Sequence, residues 1–167
     1  MFAENIDNIN INNIIISDPI KNSVMQYSNF YKIVFSNNII SYNGLYISFD
    51  LNDITLNREK IILNDTYNSN NIETIYKLRN IENIILNNID TNKKKTYKIY
   101  ELFSNGYIKY CYNDIYIENF NNNHKLLLSN NNFDKKTFIL KISGLWENKD
   151  NIGITFKIIL MDKYITF

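Results

Sequence analysis

The apolar residues of this chain recur at every second position along most of its length and at helical spacing in one stretch, and this constrains the fold more than any other feature. Period two places alternate side chains on opposite faces of a strand; spacings of three and four line one face of a helix. In FYKIVFS (30–36), Tyr31, Ile33 and Phe35 alternate with Lys32 and Val34. In LYISFDL (45–51), Leu45, Ile47, Phe49 and Leu51 oppose Tyr46, Ser48 and Asp50. Asn43-Gly44 stands between these runs and reads as a turn. INNIII (11–16) and KIIL (60–63) are shorter strand candidates, and Pro19 marks a loop at 17–23. TYKIYELFS (96–104), GYIKYCY (106–112) and DIYIENF (114–120) are rich in Tyr and Ile and read as strands, the first two joined by a tight hairpin at Asn105-Gly106. LLL (126–128) is a further short strand candidate, and TFILKIS (137–143) and GITFKIIL (153–160) flank a final hairpin.

The period changes only over residues 71–89. There Ile72, Ile75, Leu78, Ile81, Ile85 and Ile89 fall on one helical face, and Asn70 with Glu73 fits a capping-box start. Several antiparallel strands with one inserted helix predict a mainly β fold: a single OB-like antiparallel β-barrel over residues 11–167, behind a flexible leader at 1–10. A length of 167 residues suits one such domain.

Composition removes most chemistry. The single Cys111 and single His124 exclude a disulfide framework, a paired-cysteine zinc site and a two-histidine metal site. The four glycines, at 44, 106, 144 and 153, form no phosphate-cradling loop. Carboxylates are scattered. No catalytic residue, metal or cofactor is therefore expected, and the chain reads as a non-enzyme. No apolar run reaches the roughly 18–20 residues of a membrane span, and the acidic, polar start MFAENIDNIN is no signal peptide; a cytoplasmic location is expected. The chain carries 32 Asn and 31 Ile, which an AT-rich coding sequence explains, so abundance of Asn or Tyr by itself carries no functional weight.

What remains informative is the interleaving of aromatic and basic residues on strands. Lys98 and Tyr100 share a face of one predicted strand, and Tyr107 and Lys109 a face of the next. Lys141 and Lys157 alternate with the apolar residues of the last two strands, as Lys32 and Tyr46 do in the first two. Lysines on a sheet face track phosphates while aromatic rings stack on bases, a combination that binds single strands without reading sequence. A formal net charge of +1 argues against a strongly basic binder but says little about one groove. Trp146 reads either as a structural plug or as a stacking platform, and Lys157 as a phosphate contact or a solvated edge residue.

Two segments resemble a known family. Ser17, Asp18, Pro19, Lys21 and Asn22 precede the FYKIVF strand, and Ser143, Gly144, Trp146, Gly153, Thr155 and Lys157 form a closing hairpin, with Leu145 and Phe156 as conservative departures. These resemble the opening and closing motifs of podovirus-type single-stranded DNA-binding proteins of large cytoplasmic DNA viruses, and the similar proteins of yeast cytoplasmic linear plasmids. The resemblance implies an OB-fold that coats single-stranded DNA during replication and has no enzymatic activity. The partners it implies are single-stranded DNA, a replicative DNA polymerase or helicase, and further copies of the chain, with no membrane. The family's acidic tail is not matched: Phe167 ends the chain, but Asp162 is the only acidic side chain in its last dozen residues. The alternative is a non-enzymatic β-barrel or β-sandwich scaffold whose exposed face contacts protein, in a replication, transcription or toxin-accessory complex.

Overall fold

The structure is a computed structural model that describes residues 3–57, 60–65, 67–105, 107–111 and 131–161. In chain order its elements are β1 (Glu4–Asn5), a 3-10 turn (Ile11–Asn13), β2 (Ile14–Ile16), β3 (Ile20–Lys21), β4 (Asn29–Ser36), β5 (Ser41–Asn43), β6 (Leu45–Asn57), β7 (Lys60–Leu63), α1 (Ser69–Asn87), β8 (Lys94–Thr96), α2 (Lys98–Ser104), β9 (Tyr107–Lys109), β10 (Asn131–Glu147) and β11 (Asn151–Leu160). The fold is mainly β, an antiparallel sheet with one main helix, as the periodicity predicts.

β10 organises the sheet. Along one edge it pairs with β11, from Phe138↔Leu160 to Glu147↔Ile152. Along the other it changes partner: Ile142 opposes Leu45 of β6, and two residues later Gly144 opposes Lys32 of β4. The register with β11 shifts between Ile142 and Gly144, a bulge that adds local twist where the partner changes. Alternation sends Leu45, Ile47, Phe49 and Leu51 of β6, Phe138, Leu140 and Ile142 of β10, and Ile154 and Ile158 of β11 to one side of the sheet. Leu78, Ile81, Ile85 and Leu86 of α1 join them in one core. Each such Ile or Leu contributes about 1.5–3 kcal/mol when fully buried.

The helix begins earlier than its apolar spacing suggests. Its N-cap is Asn68, whose Oδ1 accepts the N–H groups of Asn70 and Asn71 at 3.1 and 3.3 Å; the expected capping box at Asn70 and Glu73 is not used. Asn71 is instead buried, and its amide exchanges two 2.8 Å hydrogen bonds with the backbone of Asn52 in β6, which fixes the start of α1 on the sheet.

Residues 96–104 correct the strand reading. Lys94–Thr96 is a strand, but Lys98–Ser104 is a helix. Ile99 and Phe103, four residues apart, are both buried while Glu101 is exposed; one helical turn allows this, whereas alternation would put Glu101 on the same buried face. The helix start is held from outside: the buried Glu82 carboxylate on α1 accepts the backbone N–H of Lys98 at 2.7 Å and of Ile99 at 3.2 Å. The expected hairpin at Asn105-Gly106 consequently does not form between residues 96–104 and 106–112; β9 pairs with β7, Ile108 opposite Ile61.

Among the described residues the sheet is not closed into a barrel, which corrects the expected closure. Just past β9, Cys111 forms an isolated bridge to β11, in which the Cys111 N–H donates to Ile158 O and the Leu160 N–H donates to Cys111 O. The expected strands at 114–120 and 126–128, with Tyr112 and His124, lie outside the described residues. The segment read as a leader is tied down within residues 3–10: Glu4 and Asn5 pair with Ile47 and Ser48, and Asp7 lies 2.6 Å from Lys77. The turn between β4 and β5 is built on Asn37, whose Oδ1 accepts from Ile39 and Ile40 N–H; Gly44, at φ +95°, lies on the β5–β6 link against β10, with a Cβ there only 2.9 Å from Ile142 O.

Candidate nucleic-acid interface

The strand register arranges the outer face of the sheet, opposite the core, in rows. One row runs Lys157–Lys141–Tyr46 across β11, β10 and β6. The next runs Thr155–Gly144–Lys32 across β11, β10 and β4. A third runs Gly153–Trp146–Phe30–Ile20 across β11, β10, β4 and β3. Adjacent strands lie about 4.8 Å apart, so Lys32, Tyr46, Lys141, Trp146 and Lys157 occupy one continuous face.

The two glycines in these rows are spacers beneath rings. A Cβ on Gly153 would come within 2.7 Å of Trp146 Cζ2, and one on Gly144 within 2.5 Å of Phe30 Cζ and 2.2 Å of Tyr31 O. Trp146 and Phe30 therefore lie against the backbone of the neighbouring strand, where any other residue would lift them away, and both remain half-buried rather than sealed in the core. Trp146 thus packs on Gly153 and keeps part of its surface exposed on the outer face.

Charge on this face is positive at one end. Lys32 and Lys157 are exposed, and the Lys141 ammonium lies 5.0 Å from the centre of the Tyr46 ring, which also meets Tyr42 edge-on at 6.5 Å. Among the described residues no carboxylate pairs with Lys32, Lys141 or Lys157. The acid farther along β6, Asp50, is engaged by Lys135 at 2.9 Å and by the Thr137 hydroxyl at 2.6 Å. Between the two ends, Ile139 and Ile159 are buried although they lie on the outer face.

A polar cluster anchors the Trp146 row from the core side. The Glu147 carboxylate accepts from Asn29 Nδ2 at 3.1 Å, Tyr31 Oη at 2.9 Å and Thr91 Oγ1 at 3.3 Å. Burial pushes the Glu147 carboxyl up, but the hydrogen bonds from Asn29 and Tyr31, the nearby Lys93 charge and the Thr91 bond outweigh it, so the net shift is downward. Burial, then the bond and charge of Glu147, raise the Tyr31 phenol, which stays a donor. β4, β10 and the 91–93 loop are thereby joined beneath the rings.

The other predicted residues lie elsewhere. Lys98 and Tyr100 are on α2, not on a sheet: Lys98 pairs with Glu101 at 2.8 Å, and the Arg79 guanidinium lies 4.5 Å from the centre of the Tyr100 ring. Lys109 is exposed on β9 opposite Lys60, and Tyr107 pairs with Ile62 there, its side chain outside the described residues. Lys98 and Tyr100 therefore do not share a sheet face with Lys109, because the first strand of the expected hairpin is replaced by α2. Phe30 was missed, although it precedes Lys32 and Val34 in the same alternation and could have been read from it.

No protein-family model matches the sequence, and no similar protein is found among curated chains or solved structures. Among the described residues no group of three or more His, Cys, Asp or Glu side chains comes together to hold a metal, and no helix is long and apolar enough to cross a membrane.

Proposed function

We propose that this chain binds single-stranded DNA without sequence preference on the outer sheet face, as a cytoplasmic coat for strands displaced in viral-type or linear-plasmid replication. The observation that carries the reading is the pair of rings, Trp146 and Phe30, set over Gly153 and Gly144 beside rows bearing Lys32, Lys141 and Lys157. Every base has a π-face, so rings in a row accept any sequence, while the lysines hold the phosphates. The resemblance to podovirus-type single-stranded DNA-binding proteins supports the same reading. A replicative polymerase or helicase and further copies of the chain belong to this proposal as partners.

Trp146 is the only tryptophan in the chain and makes the test direct. Titration with oligothymidylate quenches its fluorescence as bases stack, and Trp146→Ala weakens binding by about 1–3 kcal/mol. Absence of retention on single-stranded DNA resin at low salt refutes the proposal. A second reading, a non-enzymatic scaffold that binds protein, is favoured by the loop between β3 and β4, where Val24 is 89% and Tyr27 97% exposed. Retention on the resin separates the two.

A further inference from the structure

The side of α1 turned away from the sheet carries a second concentration of rings and cations. A cleft of about 980 Å³ between α1, α2 and β8 is lined by Tyr76, Tyr97 and Tyr100 and by Arg79, Lys94 and Lys95. Tyr76 and Tyr100 are 60% and 42% exposed. The two acids of the lining are engaged: Glu73 by Lys77 at 2.6 Å and Glu101 by Lys98 at 2.8 Å. Lys95 rests on the neutral Asn87 amide at 2.5 Å, and among the described residues no carboxylate pairs with it. Rings beside excess positive charge suit a planar base joined to a phosphate, the chemistry of a nucleotide unit.

From this we infer that the cleft is a second segment of the single-strand path, reached around the β8 edge of the sheet. The inference rests on the proposed function of the outer face. β8 belongs to both places: Lys94 and Thr96 line the cleft, and Thr96 also pairs with Gly153, extending the row that carries Trp146 and Phe30. A strand leaving Trp146 crosses Gly153 and Thr96, about two strand spacings or roughly 10 Å, before meeting the cleft. Arg79 stacked on Tyr100 places a phosphate-binding group against one face of a ring, so the base and the backbone of one nucleotide are met together.

The test is anisotropy of labelled oligothymidylates of increasing length at fixed low salt, with the parent, Tyr100→Ala, the double variant Lys94→Ala/Lys95→Ala, and Lys157→Ala on the outer face. The cleft variants should bind the shortest retained oligonucleotide like the parent and long ones more weakly, Tyr100→Ala by about 5- to 150-fold, the range of one lost stack. Lys157→Ala should weaken both. Tyr100→Phe, which keeps the ring, should restore long-strand binding and guards against misfolding of the alanine variant. Parental affinity for long strands in folded cleft variants overturns the inference and leaves the outer-face proposal standing. An equal loss at every length also overturns it, since the cleft would then not be an extension. Failure of the parent to bind any strand overturns both.

Discussion

The outer face makes a quantitative demand on salt dependence. Lys32, Lys141 and Lys157 are its lysines without a carboxylate partner among the described residues. Each phosphate neutralised on a single strand contributes about −0.7 to the slope of log K against log salt, so three give a slope near −2. Raising salt from about 50 to about 200 mM should then weaken binding of a short oligothymidylate roughly 20-fold. Lys157→Ala, at an exposed position whose removal leaves the core intact, should reduce the slope by about 0.7. Lys32→Ala should do the same. Lys141→Ala should change the slope and also the intrinsic affinity, because its ammonium lies against Tyr46 and its loss frees that ring. Anisotropy titrations at four or five salt concentrations read these slopes, with melting temperature confirming the fold. A slope near zero in the parent, or unchanged slopes in both Lys157→Ala and Lys32→Ala, would remove the phosphate role of this face.

Three further outcomes follow from the packing. Gly153→Val places a branched side chain where even a Cβ lies 2.7 Å from Trp146; it should cost about 1–3 kcal/mol in thermal unfolding and shift Trp146 emission toward that of an exposed indole. Glu82→Ala leaves the buried N–H groups of α2 unpaired, at about 1–3 kcal/mol each. Burial raises the Glu82 carboxyl against the opposing backbone bonds, so its ionised form is penalised in the folded state: parental stability should fall as pH rises from the ordinary carboxylate range through the raised value, a slope that Glu82→Gln removes. Glu147 has the opposite sign: its contribution is present above the ordinary carboxylate pKa and is lost as pH falls through the lowered one, so Glu147→Gln should flatten the acid limb of a pH-dependent melting series.

The strands of this fold were legible because they alternate. In β4, β6, β10 and β11 each apolar position that alternation assigns to the core is found facing it, with Lys32, Tyr46, Lys141 and Lys157 left outside. Alternation does not say which strands adjoin, so the rows that unite Trp146 with Phe30, or Lys157 with Tyr46, became visible only in the register. α2 was illegible for a different reason. Its Tyr and Ile residues favour a strand locally, and the group that caps it, Glu82, lies 16 residues upstream of Lys98 on another helix. Asn71 is similar: among 32 asparagines nothing marks the one whose amide is buried against β6. The α1–α2 cleft inherits both difficulties, since it exists only once α2 is a helix and β8 has joined β11.

The partner exchange along β10 also sets when this chain can fold. Phe138 must find Phe49, and Trp146 must find Phe30, so the central ladder closes loops of on the order of 100 residues before it gains its contacts. Topologies dominated by such distant pairings fold slowly, in milliseconds to seconds. On the ribosome, β4 and β6 emerge well before β10, and β6 waits with an unpaired edge and an apolar face, the conditions for edge-to-edge association. Chains arrested before residue 131 should therefore be aggregation-prone, whereas release of the β10–β11 hairpin should bring β4, β6 and β11 together in one cooperative step.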